Sequence, residues 1–224
     1  MDLYPLWNSL RIAFLSTVII FFVGIFVAYY IAKAPRAVKG VLDVILTLPM
    51  VLPPTVCGYF LLLVFGPRRP LGGLLLQWGI RVAMNWYGGI AAAVVVSFPL
   101  MYRTARGAFE QLEPNVIYAA RTLGISEWRI FWHVLLPNAR SGILAGLVLS
   151  FTRALGEFGA TIMFAGNIPG KTQTMSTAIY AAVQANDYAL AFDWAMAIVV
   201  FSLFFVVLMN WWIARSSKEG CLWS

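Results

Sequence analysis

The sequence predicts an all-α integral membrane protein with about five membrane-spanning helices, N-terminus outside and C-terminus inside. The first observation is compositional. The 224 residues are 61% hydrophobic and only 11% charged, whereas a soluble domain carries about 25% charged residues. The second is segmental: apolar runs at 12–32, 41–65, 87–101, 143–165 and 194–213 approach the roughly 20 residues that cross a hydrocarbon core about 30 Å thick. The third is the distribution of Lys and Arg. With the odd-numbered helices running inward, ten of these residues fall on the inner side and five on the outer, and Arg153 lies within a span. A bias of this kind sets orientation.

Each span has its own signature. The first is uninterrupted. The second contains Pro49, Pro53 and Pro54 and is expected to be kinked or broken, because proline removes a backbone donor and clashes with the preceding turn. The third is short and becomes long enough at 83–102 if its ends are interfacial. The fourth, 143–165, carries Arg153 and Glu157. A charged group at mid-bilayer costs roughly 2.5–3.5 kcal/mol and faces protein or a watery path. Four residues apart, the two can share a helix face and pair. The pair can fix helix packing or border a translocation path in which Arg153 favours an anion, and the two roles are compatible. Gly142, Gly146, Gly156, Gly159 and Ala160 make this span small-sided, which allows close helix approach in lipid. Gly156 and Ala160 fit either an interface with a second copy or packing within one chain. Trp7, Trp86, Trp194, Trp211 and Trp212 sit at span ends as an expected aromatic belt. The domain reading is a single transmembrane unit over 1–215, with an inner loop at 103–140 and a short tail at 216–224.

Several functions are disfavoured. The net charge of +7 is mostly the inner-side bias, so nucleic acid is not an expected partner. Cys57 in a span and Cys221 in the tail imply no disulfide framework. Asp2 and a long apolar run argue against a cleavable signal peptide. No repeat of 20 to 50 residues stands out. The single histidine, His133, has no second ligand at metal spacing, and no catalytic set of residues is evident. Residues 166–172 read GNIPGKT and suggest a phosphate loop, but the required first glycine is Ala165, no strand precedes it, and the segment is expected outside.

The loop at 118–137 reads YAARTLGISEWRIFWHVLLP. Pro114 suits the first position of a helix. Val116, Ile117, Ala120 and Leu123 follow at helical spacing. Gly124 can close that helix in the left-handed conformation. Ser126 can cap a second helix over 127–135, and Pro137 is placed to start the fourth span. Tyr118, Arg121 and Thr122 lie on the opposite face. Two short helices that order themselves, with small residues at Ala119, Ala120 and Gly124, make a docking surface.

The spacing resembles the signature loop of permease subunits in ABC importers: E-A-A, three residues, G, nine residues, I, one residue, L-P. Ala119, Ala120, Gly124, Val134, Leu136 and Pro137 match it, and Tyr118 replaces the leading Glu. LPMVLPPTVCGYFLLLVFG at 48–66 and LGEFGATIMFAGNIPGKTQTMSTAIY at 155–180 resemble molybdate ABC transporter permeases. Together with the loop, the likeness covers most of the chain from Trp7 to Trp212. Sulfate permeases share the loop and a similar LGE segment but diverge after Asn-x-Pro, where this chain has Gly170, Thr172, Gln173 and Thr174.

The resemblance implies a type I importer permease fold and no cofactor in this chain. It implies a second copy of the chain, two ATPase subunits inside that bind ATP and Mg, and an outer binding protein that delivers molybdate or tungstate. An extra N-terminal membrane helix, present in some members, is not expected here. The site would be a bacterial or archaeal plasma membrane. The coupling loop would comprise Tyr118, Ala119, Ala120, Arg121, Gly124, Ile125, Glu127, Leu136 and Pro137. The candidate path and outer gate are Pro53, Pro54, Thr55, Arg153, Glu157, Asn167, Thr172 and Thr174. Alternatives are a sulfate or thiosulfate importer, a membrane enzyme using Arg153 and Glu157, and a passive anion channel.

Overall fold

The computed structural model of the chain describes residues 2–219, with side chains through residue 211. Among the described residues there are helices and no strands. In order they are α1 (Tyr4–Ala32), α2 (Arg36–Val51), α3 (Pro54–Phe65), α4 (Pro70–Gln77), α5 (Trp86–Glu110), α6 (Pro114–Thr122) and α7 (Glu127–Ile130). A π-helical turn follows (Phe131–Leu135), then α8 (Leu136–Asn138), α9 (Arg140–Leu155), α10 (Gly159–Phe164), α11 (Met175–Gln184) and α12 (Tyr188–Glu219).

Among the described residues three uninterrupted helices are long and apolar enough to cross a membrane: Tyr4–Ala32, Trp86–Glu110 and Tyr188–Trp211. The second expected span is broken. Pro53 and Pro54 stop α2 and start α3, and the two helices meet at 112°. Helix α9 also bends, by 71°, away from the helical segment Glu127–Asn138. Counting each bent pair as one span gives five.

One expectation about the spans needs correction. Span 143–165 is not one helix: α9 ends at Leu155 and α10 begins at Gly159. Gly156 has little helix propensity, and the Glu157 carboxylate accepts from Ala160 N at 2.9 Å, which starts a new helix instead of prolonging the old one. Helix α12 runs past the expected boundary at 215 to Glu219, with no Gly or Pro there to stop it. Residues 220–224, including Cys221, lie outside the described residues.

Helix α5 is the hub, packed between α1 and α9. Close approach there depends on small residues. A Cβ on Gly146 would stand 2.1 Å from Thr104 Oγ1. Helices α3 and α10 pack through Gly58, where a Cβ would fall 2.7 Å from the Ala160 carbonyl oxygen. Ala160 is fully buried there, so the small side of this segment is used within the chain. Ion pairs from Arg106 Nη1 to Asp43 (2.6 Å) and from Lys39 to Glu110 (2.6 Å) tie α2 to α5.

At the opposite end of the bundle, α1 is stitched to the segment before α11. Asn8 Nδ2 donates to the carbonyls of Thr172 (3.1 Å) and Gln173 (3.0 Å), and Ser9 Oγ accepts from Met175 N. The expected belt is only partly present. Trp7 and Trp211 are exposed, but Trp194 is buried in the core and the Arg11 guanidinium stacks 3.9 Å over Trp86. The Trp212 side chain lies outside the described residues.

Candidate functional site

The first half of the loop at 118–137 is built as Pro114 and Gly124 predict. Pro114 opens α6, and the chain turns at Gly124 with φ +72°. Gly124 N donates to Arg121 O and Ile125 N to Ala120 O, which satisfies the last carbonyls of α6 in the two-bond pattern of a left-handed helix end. Ser126 precedes α7, but its side chain makes no cap hydrogen bond.

The second helix is not regular over 127–135, and Pro137 does not start the membrane helix. A π turn intervenes, and α9 starts at Arg140. Pro137 has no N–H for the His133 carbonyl, and its ring crowds that carbonyl in an α-helix. The widened turn accommodates it, and Asn138 Nδ2 donates to Val134 O at 2.6 Å. Ile130, Phe131 and Leu135 anchor the loop in a cluster with Tyr29, Tyr102 and Phe109.

Glu127 clasps the loop. Its Oε1 accepts from Arg121 Nε at 2.6 Å, and its Oε2 from Lys33 Nζ at 2.9 Å. The two donors, Arg121 first and Lys33 second, hold its carboxyl far below the usual range, at about 2. The loop is thereby fixed to itself and to the end of α1. Tyr118, Ala119, Leu123 and Trp128 remain exposed on its surface. Val116 and Leu123 are also exposed, so of the expected apolar stripe only Ala120 is buried, with Ile117 half-buried.

The break between α9 and α10 forms a second cluster. Arg153 Nη1 and Glu157 Oε2 are 2.5 Å apart; Glu157 is buried and the Arg153 side chain is one-third exposed. They do not share a helix face as expected, because Glu157 lies past the end of α9. Instead Arg153 occupies the last turn of α9 and Glu157 precedes α10, so each charge meets the helix dipole that favours it. Across from them is the other break. Gly159 lies against Pro54 and Thr55, with a Cβ position 3.0 Å from Pro54 Cβ and 3.1 Å from Thr55 N. The structure therefore sets Pro54 and Thr55 against the start of α10, two residues beyond Glu157 of the ion pair. Pro53 and Thr55 are exposed.

Asn167, Thr172 and Thr174 form a separate group. The Thr172 hydroxyl accepts from Ile168 N, and the Thr174 hydroxyl caps α11 in a reciprocal box with Thr177. Both threonines are buried, while Asn167 is half-buried and donates to Thr177 O. The N–H groups of Lys171, Thr172 and Gln173 all point at the Ile168 carbonyl, so they are not arranged to cradle a phosphate. Sequence reading missed Lys33 as a loop partner, 94 residues from Glu127. It also missed α11, whose signal was the Thr174–Thr177 spacing. Among the described residues no three His, Cys, Asp or Glu side chains gather as a metal site.

An all-helical bundle of long and broken spans with an ordered loop at one end is the architecture of a type I ABC importer permease. The chain belongs to the family of binding-protein-dependent transport system inner membrane components, which it matches over residues 13–218. It is 41% identical to the molybdenum transport system permease protein ModB of Escherichia coli (strain K12), across 96% of both chains. It is 35% identical to the sulfate transport system permease protein CysT of the same organism, across 90% of this chain and 73% of that one. Its fold matches a bacterial alginate ABC transporter solved with a periplasmic protein bound to an alginate pentasaccharide. The TM-score is 0.77 at 19% identity, covering 96% of this chain and 79% of that one.

Proposed function

We propose that this chain is the membrane permease of an ATP-driven importer of molybdate, with tungstate as a second substrate. The observation that carries this reading is the likeness to ModB along nearly the whole of both chains, against a lower identity and shorter coverage for the sulfate relative. Two copies would form the path. The loop would face the cytoplasm and seat in two ATPase subunits, which bind ATP and Mg, and an outer binding protein would deliver the anion. The Lys and Arg bias of the sequence supports this orientation.

In this reading the coupling loop is Tyr118 to Pro137 as assigned above. Its rigidity, from the Gly124 turn and the Glu127 clasp, lets it transmit ATPase closure as a push on α9. Arg153 and Glu157, with Pro53–Thr55 opposite, sit where two broken helices can part, and they border the path. Asn167, Thr172 and Thr174 frame the outer gate from behind and do not touch the anion. Because Arg153 is neutralised by Glu157, the path holds its cargo weakly, and selectivity lies in the binding protein.

The test is reconstitution in liposomes with the partner ATPase and binding protein. ATP-dependent uptake of radiolabelled molybdate, displaced by tungstate and not by sulfate, is expected. Equal uptake of sulfate would replace this reading with the sulfate one. Tight saturable molybdate binding to the complex without its binding protein would move selectivity onto the membrane residues.

A further inference from the structure

Where α1 ends against the loop there is a cleft of about 240 Å³ that the transport reading does not use. Its polar rim is Lys33 and Glu127, and its floor is aromatic. Phe26 stacks on Phe131 with centroids 5.7 Å apart, and Trp128 stacks on Phe131 at 6.3 Å. Phe26 precedes Lys33 by seven residues, which on an α-helix places it about 10 Å deeper in the bundle. Tyr30 and Trp128 flank the opening and are 68% and 63% exposed. The cleft thus passes from charge to aromatic over the distance that separates a headgroup from the start of its acyl chains.

The charges decide which headgroup fits. Glu127 faces two cations, Lys33 and Arg121, so the rim has one positive charge in surplus. An ammonium ligand is not favoured, because the cationic position of the cage is already taken: Lys33 Nζ lies 4.1 Å over the Tyr29 ring and donates to the Tyr29 hydroxyl. An anion can engage the outer side of Lys33 while Arg121 keeps Glu127 in place. A soluble anion would use the rim alone and leave the aromatic floor open. A lipid phosphate uses both, and exposed aromatic side chains belong at the level of lipid headgroups. We propose that this cleft binds the phosphate headgroup of an anionic glycerophospholipid from the leaflet on the loop side, through Lys33, with its glycerol and first methylenes on Phe26 and Tyr30.

The site adjoins the clasp, since the same Lys33 serves both. Lipid binding would relax one of the two tethers on Glu127 and leave the Arg121 tether intact. Anionic lipid would then tune how firmly the loop is held to α1, in addition to the general attraction of a basic residue to an anionic surface.

The test uses the full chain in nanodiscs of phosphatidylcholine with a minority of phosphatidylglycerol, released into mild detergent and weighed by native mass spectrometry. The wild-type chain is expected to retain one phosphatidylglycerol and little phosphatidylcholine. Lys33→Gln and Tyr30→Ala are each expected to lower that retention at least fivefold. Tyr30 is an exposed side chain, so its variant should keep the wild-type melting temperature, and it decides the matter if Lys33→Gln folds poorly. An excess of inorganic phosphate should not displace the lipid. Equal retention of phosphatidylcholine, wild-type retention in Tyr30→Ala, or displacement by inorganic phosphate would each overturn the proposal.

Discussion

Glu127 and Glu157 are held by similar chemistry in opposite surroundings. Each carboxylate pairs with an arginine and accepts one further N–H, from Lys33 in the first case and from the Ala160 backbone in the second. Yet the Glu127 side chain is 51% exposed and that of Glu157 only 2%. In water the Glu127 pairs are worth little and mainly select one arrangement of a loop. Under apolar cover a charge that loses its partner has nowhere to find another. The loop clasp should therefore be adjustable, whereas the pair at the helix break should behave as a single unit.

The largest effect is expected from Glu157→Ala. It strands Arg153 and frees the Ala160 N–H at once. Because Arg153 is one-third exposed, the loss should lie near the low end of the roughly 3–5 kcal/mol seen when one buried partner is removed. The double change Arg153→Ala with Glu157→Ala should cost less than Glu157→Ala alone. Thermal unfolding in detergent of Arg153→Ala, Glu157→Ala and the double variant measures this, and additive losses would show that the residues are not a unit.

A smaller effect is expected at Gly124. The left-handed turn costs a side chain roughly 1–2 kcal/mol, and a Cβ there meets no neighbour within 4 Å, so the strain is purely in the backbone. Gly124→Val should loosen the loop and reduce stimulation of the proposed ATPase partner. Gly124→Asn, which tolerates this conformation, should be close to wild type. If both variants reduce stimulation equally, the surface of the loop matters and its turn does not.

The smallest effect belongs to Glu127. Its folded-state carboxyl is depressed to about 2 from an ordinary 4.5, so its contribution is complete above the ordinary value and is lost as pH falls through the folded one. The clasp should be intact from pH 7 to pH 5 and release only well below pH 4.5. Trp128 fluorescence, taken as the difference between wild type and Trp128→Phe, should be flat over the upper range. A transition near pH 4.5 or above would mean the two donors do not hold the carboxylate.

The legible parts of this molecule were local. The spans follow from continuous apolar runs, and the loop follows from Pro114 and Gly124, which act within a few residues of themselves. Pro53 and Pro54 announced the first helix break. The second break did not announce itself, because Gly156 and Gly159 also occur in continuous membrane helices and no proline marks the site. That break is made by the Glu157 carboxylate on Ala160 N and goes with the packing of α10 on α3 at Gly58, about a hundred residues away in sequence. Lys33 with Glu127, and Asn8 with the carbonyls of Thr172 and Gln173, are likewise long-range pairs that no spacing rule connects. Asn8 and Ser9 were polar residues at the edge of an apolar run, and their partners could not be read from the chain.

The junction of the two breaks also contains a built-in reporter. Cys57 is the free cysteine among the described residues; it is buried, with its Sγ 3.9 Å from the Pro49 carbonyl. It lies one residue before Gly58, on the seam that joins α3 to α10. A small maleimide should therefore label Cys57 slowly in this arrangement, once Cys221 has been changed to Ser. Any state of the working transporter that opens the seam should be visible as faster alkylation, without an introduced probe. A labelling rate unchanged across the nucleotide cycle would mean that α3 and α10 travel together, and that the moving boundary lies elsewhere in the bundle.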